Sequence, residues 1–164
     1  MTGKLRNMTS IYLLRGERIL LLHRQGGAVA DGLWVGSAGG HFEEHELNDA
    51  AACVLREMQE ELGLQPEHIE NLALRYITLR STRGEIRQNY YFFATLVDRV
   101  DPDALISNEG ECRWLSLDEV TALNMPFTAK YVMEHYVHEG RFTDTLYAGA
   151  ASTDGVSFSP LPEN

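Results

Sequence analysis

The chain has 164 residues, 44% of them hydrophobic and 23% charged. That composition excludes a disordered or fibrous chain and fits one ordinary domain better than two. Asp and Glu number 24 against 14 Lys and Arg, a net charge of −10, which argues against a nucleic-acid polymer or an anionic membrane as partner, since both need a basic face. Cys53 and Cys112 are too few for a disulfide framework and lack metal-ligand spacing. The apolar run Ile11 to Leu14 is too short for a signal peptide or a membrane span, so the expected location is the cytoplasm.

Two short apolar runs, Ile11 to Leu14 and Ile19 to Leu22, flank Arg15-Gly16-Glu17-Arg18 and predict a hairpin. A glycine-rich loop follows from Gln25 through Gly32. Residues 49–62 predict a helix, with Asn48 as N-cap, Asp49 in the first turn and Gly63 closing the end. At about 100° per residue, Ala51, Leu55, Met58 and Leu62 form a stripe facing a core. Strands are expected over 72–79 and 88–97, around a turn at Arg83-Gly84-Glu85, with Tyr90 to Phe93 central in the sheet. A short strand at 112–115, a helix capped by Ser116 and running to Leu123, and a last helix over 128–138 complete the pattern. The domain is expected to occupy residues 1–147, with 148–164 as a loose tail. This order of elements predicts an α+β or α/β sandwich, a mixed β-sheet between helices.

Chemistry concentrates in Arg56-Glu57-Met58-Gln59-Glu60-Glu61-Leu62-Gly63-Leu64. Glu57, Glu60 and Glu61 stand at i, i+3 and i+4, so all three project from one side of the helix. That side lies roughly 120° around from the Leu55/Met58 stripe. Like charges at this spacing repel, and a hard divalent cation such as Mg²⁺ relieves the repulsion with oxygen ligands. Arg56, four residues before Glu60, can pair with it. A lone Glu-Glu pair in an acidic protein is usually just a solvated face; the flanking residues make the difference here.

Arg-Glu-apolar-x-Glu-Glu-x-Gly-apolar resembles the second half of the Nudix box, and five such fixed residues arise by chance on the order of once per million start positions. Gly39-Gly40-His41-Phe42-Glu43, with Glu46 beyond, resembles the first half. The resemblance covers about residues 8 to 140 and includes Glu-Cys-Arg-Trp-Leu-Ser-Leu-Asp-Glu-Val at 111–120. Two features depart from the pattern: nine residues rather than seven separate Glu46 from Arg56, implying a loop longer by two, and Ala38 replaces the usual proline.

The resemblance implies a Nudix-type α/β/α fold and Mg²⁺-dependent hydrolysis of a phosphoanhydride in a nucleoside diphosphate linked to another group, with Mn²⁺ as a substitute metal. It implies Glu57, Glu60, Glu61 and the Gly40 carbonyl as metal ligands, Arg56 as their orienting residue, and Glu57, Glu46, Glu109 or Glu111 as the proton acceptor. A small-molecule nucleotide is then the partner, and a homodimer is compatible with the family. Arg24, Arg80, Arg83 and Arg87 are candidates for phosphate contacts, and Tyr90, Tyr91 and Trp34 for base stacking, although solvated arginines and core aromatics are commoner. Met125 to Lys130 is similar to MutT-type members acting on oxidised deoxynucleoside triphosphates such as 8-oxo-dGTP. ADP-ribose or a nucleotide sugar ranks second. An isopentenyl diphosphate isomerase, which needs a catalytic Cys, and a non-catalytic nucleotide sensor rank below both.

Overall fold

The computed structural model describes residues 2–26 and 32–164. Most of the glycine-rich loop expected at 25–32 lies outside the described residues. The strands are β1 (Leu5–Arg15), β2 (Arg18–Arg24), β3 (Trp34–Val35), β4 (Ala38–His41), β5 (Ile69–Thr82), β6 (Glu85–Leu96), β7 (Gly110–Ser116), β8 (Leu146–Ala151) and β9 (Val156–Leu161), with helices α1 (Ala50–Leu62) and α2 (Phe127–His138). The strands form one mixed sheet in the order β3-β2-β1-β6-β5-β8-β9, with β4 on β1 and β7 on β2.

Alternation along the strands builds a core on each face. Ile11 and Leu13 of β1, Leu20 of β2 and Phe92, Ala94 and Leu96 of β6 pack with Val54, Met58 and Leu62 of α1. Tyr12, Ile19, Leu21, Tyr91 and Phe93 point the other way, onto Val132, Met133 and Tyr136 of α2. The result is the expected sandwich, with Tyr91 to Phe93 on a central strand. One irregularity positions the site. β1 pairs with β4 over Met8 to Ile11 and with β2 only over Leu13 to Arg15, exchanging neighbours midway along its length.

Four expectations are corrected. Asp49, not Asn48, caps α1: its carboxylate accepts the Ala52 N–H at 3.0 Å. Cys53 and Val54 join Met58 and Leu62 in the buried set, while Ala51 and Leu55 are only half-buried. The helix has rolled because its carboxylate side abuts β4 rather than facing open solvent. Strands 5 and 6 run longer than 72–79 and 88–97. A two-residue turn, with φ of 52° at Arg83 and 76° at Gly84, lets the polar residues around it pair, Thr82 with Glu85. Residues 116–123 hold only a 3-10 turn at Val120–Ala122, which ends where Leu123 turns extended.

The segment expected as a loose tail forms the β8–β9 hairpin. β8 runs parallel to β5, and β9 returns along it through a turn in which the Ser152 N–H bonds the Gly155 carbonyl at 2.8 Å. Its small residues are what allow this. A Cβ on Gly149 would lie 2.8 Å from the Phe158 ring, so glycine there lets Phe158 settle against the α2-side core.

Candidate active site

At the point where β1 exchanges β2 for β4, the Glu61 side chain of α1 reaches the other face of the sheet. Gly39 and Gly40 lie against Ser10 and Thr9 in that register; a Cβ on Gly39 would strike the Thr9 carbonyl, and one on Gly40 would displace the Glu57 carboxylate. The Gly39 N–H donates to the Glu61 carboxylate at 3.2 Å. Burial, with Glu57 and Glu109 nearby, pushes Glu61 up to about 7.

Arg56 ties the carboxylates together. Its Nη1 donates to Glu57 at 2.9 Å and to Glu60 at 3.1 Å. Nη2 donates to the His41 carbonyl at 3.1 Å and, with Nε, to the carboxylate of Glu46. Glu46 is fully buried, and it also accepts the Glu43 N–H at 3.0 Å. The guanidinium holds its carboxyl down at about 2. The two extra residues ahead of Arg56 therefore do not separate Glu46 from it. They are absorbed where a 3-10 turn at Glu44–Glu46 leads into the Asp49 cap. Glu43, His45 and Glu46 also offer ligand atoms within 4.8 Å of one another, but the Glu46 oxygens are already engaged by Arg56.

A cavity of about 450 Å³ opens on the α2 side of the sheet, with Gly39 and Glu61 at one end. Its floor is one face of three strands, Met8, Ser10 and Tyr12 of β1 with Asn89 and Tyr91 of β6 and Arg80 of β5; the start of α2 forms a wall with Pro126, Phe127 and Thr128. All four arginines singled out in the sequence, Arg24, Arg80, Arg83 and Arg87, line it. Of the three aromatic candidates only Tyr91 does; Trp34 stacks on His23 at 4.6 Å, and Tyr90 meets Phe42 at a tilt, 5.3 Å between ring centres. Glu109 lines the cavity beside Arg24, at 3.3 Å. Glu111 does not: it lies exposed on β7, paired with Arg113 at 3.0 Å. Neither cysteine lines it, and burial pushes the Cys53 thiol up to about 11.

Sequence reasoning missed Arg6 and Asn89. Arg6 enters the cavity because β1 lies parallel to β6 with Arg6 opposite Arg87. No local pattern carries that register. Asn89 donates to the Tyr91 hydroxyl at 3.4 Å, while its Oδ1 is buried without a partner.

Comparison with known proteins fits this geometry. The mutator MutT protein of Bacillus halodurans superposes with a TM-score of 0.64 at 23% identity, over 97% of this chain and 99% of that one. A MutT NUDIX hydrolase of Burkholderia pseudomallei gives 0.56 at 25%, over 80% and 96%. An Ap4A hydrolase of C. elegans gives 0.58 at 18%, over 81% and 94%. The NUDIX domain model matches residues 4–136. With most of its length so matched, the chain belongs to the NUDIX family, pyrophosphohydrolases that act on nucleoside diphosphate derivatives.

Proposed function

We propose that this enzyme is a Mg²⁺-dependent hydrolase whose cation is held by Glu57, Glu60, Glu61 and the Gly40 carbonyl. The observation that carries the reading is that Glu61 and Glu57 meet the Gly39–Gly40 backbone beside one end of a ligand-sized cavity, with Arg56 linking Glu57 to Glu60. The donor set suits a hard cation because it is all oxygen and anionic, with Arg56 bonded to two of its carboxylates. When bound there, Mg²⁺, or Mn²⁺ in its place, would supply charge neutralisation for phosphate oxygens and would make a bound water more acidic. Arg56 orients Glu57 and Glu60, and Glu46 is a positioning residue that fixes Arg56. Of the acceptors considered for the proton of the attacking water, Glu46 is buried with both oxygens on Arg56 and Glu111 is paired with Arg113 on β7. Glu57, by contrast, abuts Gly40 with one oxygen on Arg56, and Glu109 lines the cavity. Glu57 and Glu109 remain.

An oxidised deoxynucleoside triphosphate such as 8-oxo-dGTP ranks first as substrate. In its support, Pro126, Phe127, Thr128 and Ala129, from the segment similar to MutT-type members, line the cavity. ADP-ribose and nucleotide sugars rank second. The test is a hydrolysis panel across canonical and oxidised (d)NTPs, ADP-ribose, nucleotide sugars and dinucleoside polyphosphates, in Mg²⁺ and in EDTA, with Glu57→Gln and Glu60→Gln beside the wild type. Turnover should need the metal and fall by about 10²-fold or more in Glu57→Gln. Turnover in EDTA, or an undiminished rate in both variants, rejects the assignment. Tight nucleotide binding with no hydrolysis of any compound favours a sensor instead.

A further inference from the structure

The cavity floor carries a row of three arginines on adjacent strands. Arg6 of β1 lies opposite Arg87 of β6, and Arg87 lies opposite Arg80 of β5. Directly opposed residues point to the same face, with neighbouring strands about 4.8 Å apart. Like charges so placed oppose sheet pairing. Among the described residues only one carboxylate answers them: Glu85 lies 2.9 Å from Arg87 and 3.6 Å from Arg6. Arg80 meets no carboxylate; its guanidinium carbon lies 4.4 Å from the centre of the Phe127 ring. Arg83, at the hairpin tip, adds a further cation to the same cavity wall. A protein of net charge −10 thus concentrates cations at one end of a cavity whose other end holds Glu61 and Glu109.

We propose that this row is a second phosphoryl subsite, so that the substrate carries a phosphoryl group on the sheet floor in addition to the diphosphate at the carboxylate helix. The proposal rests on the hydrolase reading above and deepens it. From Arg6 to Thr9 and Ser10, which face Gly40 and Gly39, is three to four residues of strand, about 10–13 Å at the usual rise. Long arginine side chains shorten that gap, and both regions belong to one cavity. Guanidinium forks match phosphoryl oxygens in geometry as well as charge. A cavity of about 450 Å³ suits a small molecule rather than a polymer. The second phosphoryl group has two sources, the polyphosphate chain or a phosphate on the nucleoside sugar. A neutral terminal sugar, as in ADP-ribose, leaves the row unanswered.

The test is calorimetric binding to the metal-free protein in EDTA, using ADP, ATP, diadenosine tetraphosphate and adenosine 3′-phosphate 5′-diphosphate as probes. At least one compound with an additional phosphoryl group should bind about tenfold more tightly than ADP. In Arg80→Gln/Arg87→Gln that advantage should shrink to within about twofold, and in wild type it should fade with added salt. Preference for the longer chains places the phosphoryl on the polyphosphate; preference for the 3′-phosphate places it on the sugar. Equal affinity across the probes, no binding of any, or a preference that survives the double variant overturns the proposal. Thermal melts of the double variant supply the folding control, and easing the like-charge row should leave its midpoint unchanged or higher. Since no cation is present, a protein inactive toward every nucleotide can still pass this test, and an active hydrolase can still fail it.

Discussion

Glu46 is bonded to Arg56 and Glu61 to the Gly39 N–H, and these surroundings drive the two carboxyls in opposite directions. Glu46 is held charged by Arg56, so its folded-state pKa of about 2 lies below the ordinary 4.5. The stability it contributes is full above pH 4.5 and is lost as pH falls toward 2. Glu46→Gln should lower the unfolding free energy by about 2 kcal/mol at pH 7 in urea titrations, with the gap to wild type closing as pH drops through that window. Glu61 goes the other way, raised by burial to about 7. A raised carboxyl binds its proton more tightly folded than unfolded, so the metal-free protein loses stability as pH rises from about 4.5 to about 7. Glu61→Gln should remove that slope, and thermal melts in EDTA at a series of pH values check it. Glu57, Glu60 and Glu61 were legible in the sequence because i, i+3, i+4 spacing is a local rule. What separates Glu46 from Glu61 is the Arg56 guanidinium on the one and unrelieved burial of the other, both products of the folded surroundings that no local spacing carries.

At the scale of elements, local grammar located α1 and α2 and left their ends and faces to packing. Asn48 and Asp49 are both good caps by composition. The folded chain decides between them through the 3-10 turn that delivers Asp49 to the Ala52 N–H. Asp49→Ala should therefore cost about 1 kcal/mol while Asn48→Ala stays within about 0.5 kcal/mol; the reverse order in chemical denaturation would restore Asn48 as the cap. The same logic explains the short reading of β5 and β6. Arg80, Ser81, Thr82 and Glu85 look like loop residues by polarity, but a two-residue turn leaves no loop for them to occupy. Arg80 and Thr82 are polar where they face the cavity. The stretch 116–123 failed in the opposite sense, since a capping residue does not make a helix when the chain turns extended at Leu123 after a single 3-10 turn.

For the whole molecule, the layered fold followed from the order of elements, but the extent of the sheet did not. The β8–β9 hairpin has weak strand chemistry by itself and is held by partners distant in sequence. Arg75, 9% exposed, donates to the carbonyls of Gly140, Thr143 and Thr145 and so pins the connection between α2 and β8. Replacing it with Met should cost about 2–3 kcal/mol, since three carbonyls lose a charged donor together. Hydrogen exchange should show the loss first in 140–161, and exchange unchanged there would mean that the hairpin stands without that anchor.

The parallel pairing of β1 with β6 also dictates the order in which the chain can assemble. Leu13 meets Ala94, roughly eighty residues later, whereas the β1–β2 and β5–β6 hairpins close over short turns. Closing so long a loop is entropically costly, so the hairpins form early and their docking sets the folding rate, in the millisecond-to-second regime of non-local β topologies. On the ribosome the consequence is sharper. Until the codons for β6 have been read, β1 has an open edge, and its Ile11 and Leu13 wait without the Phe92 and Ala94 that share their core.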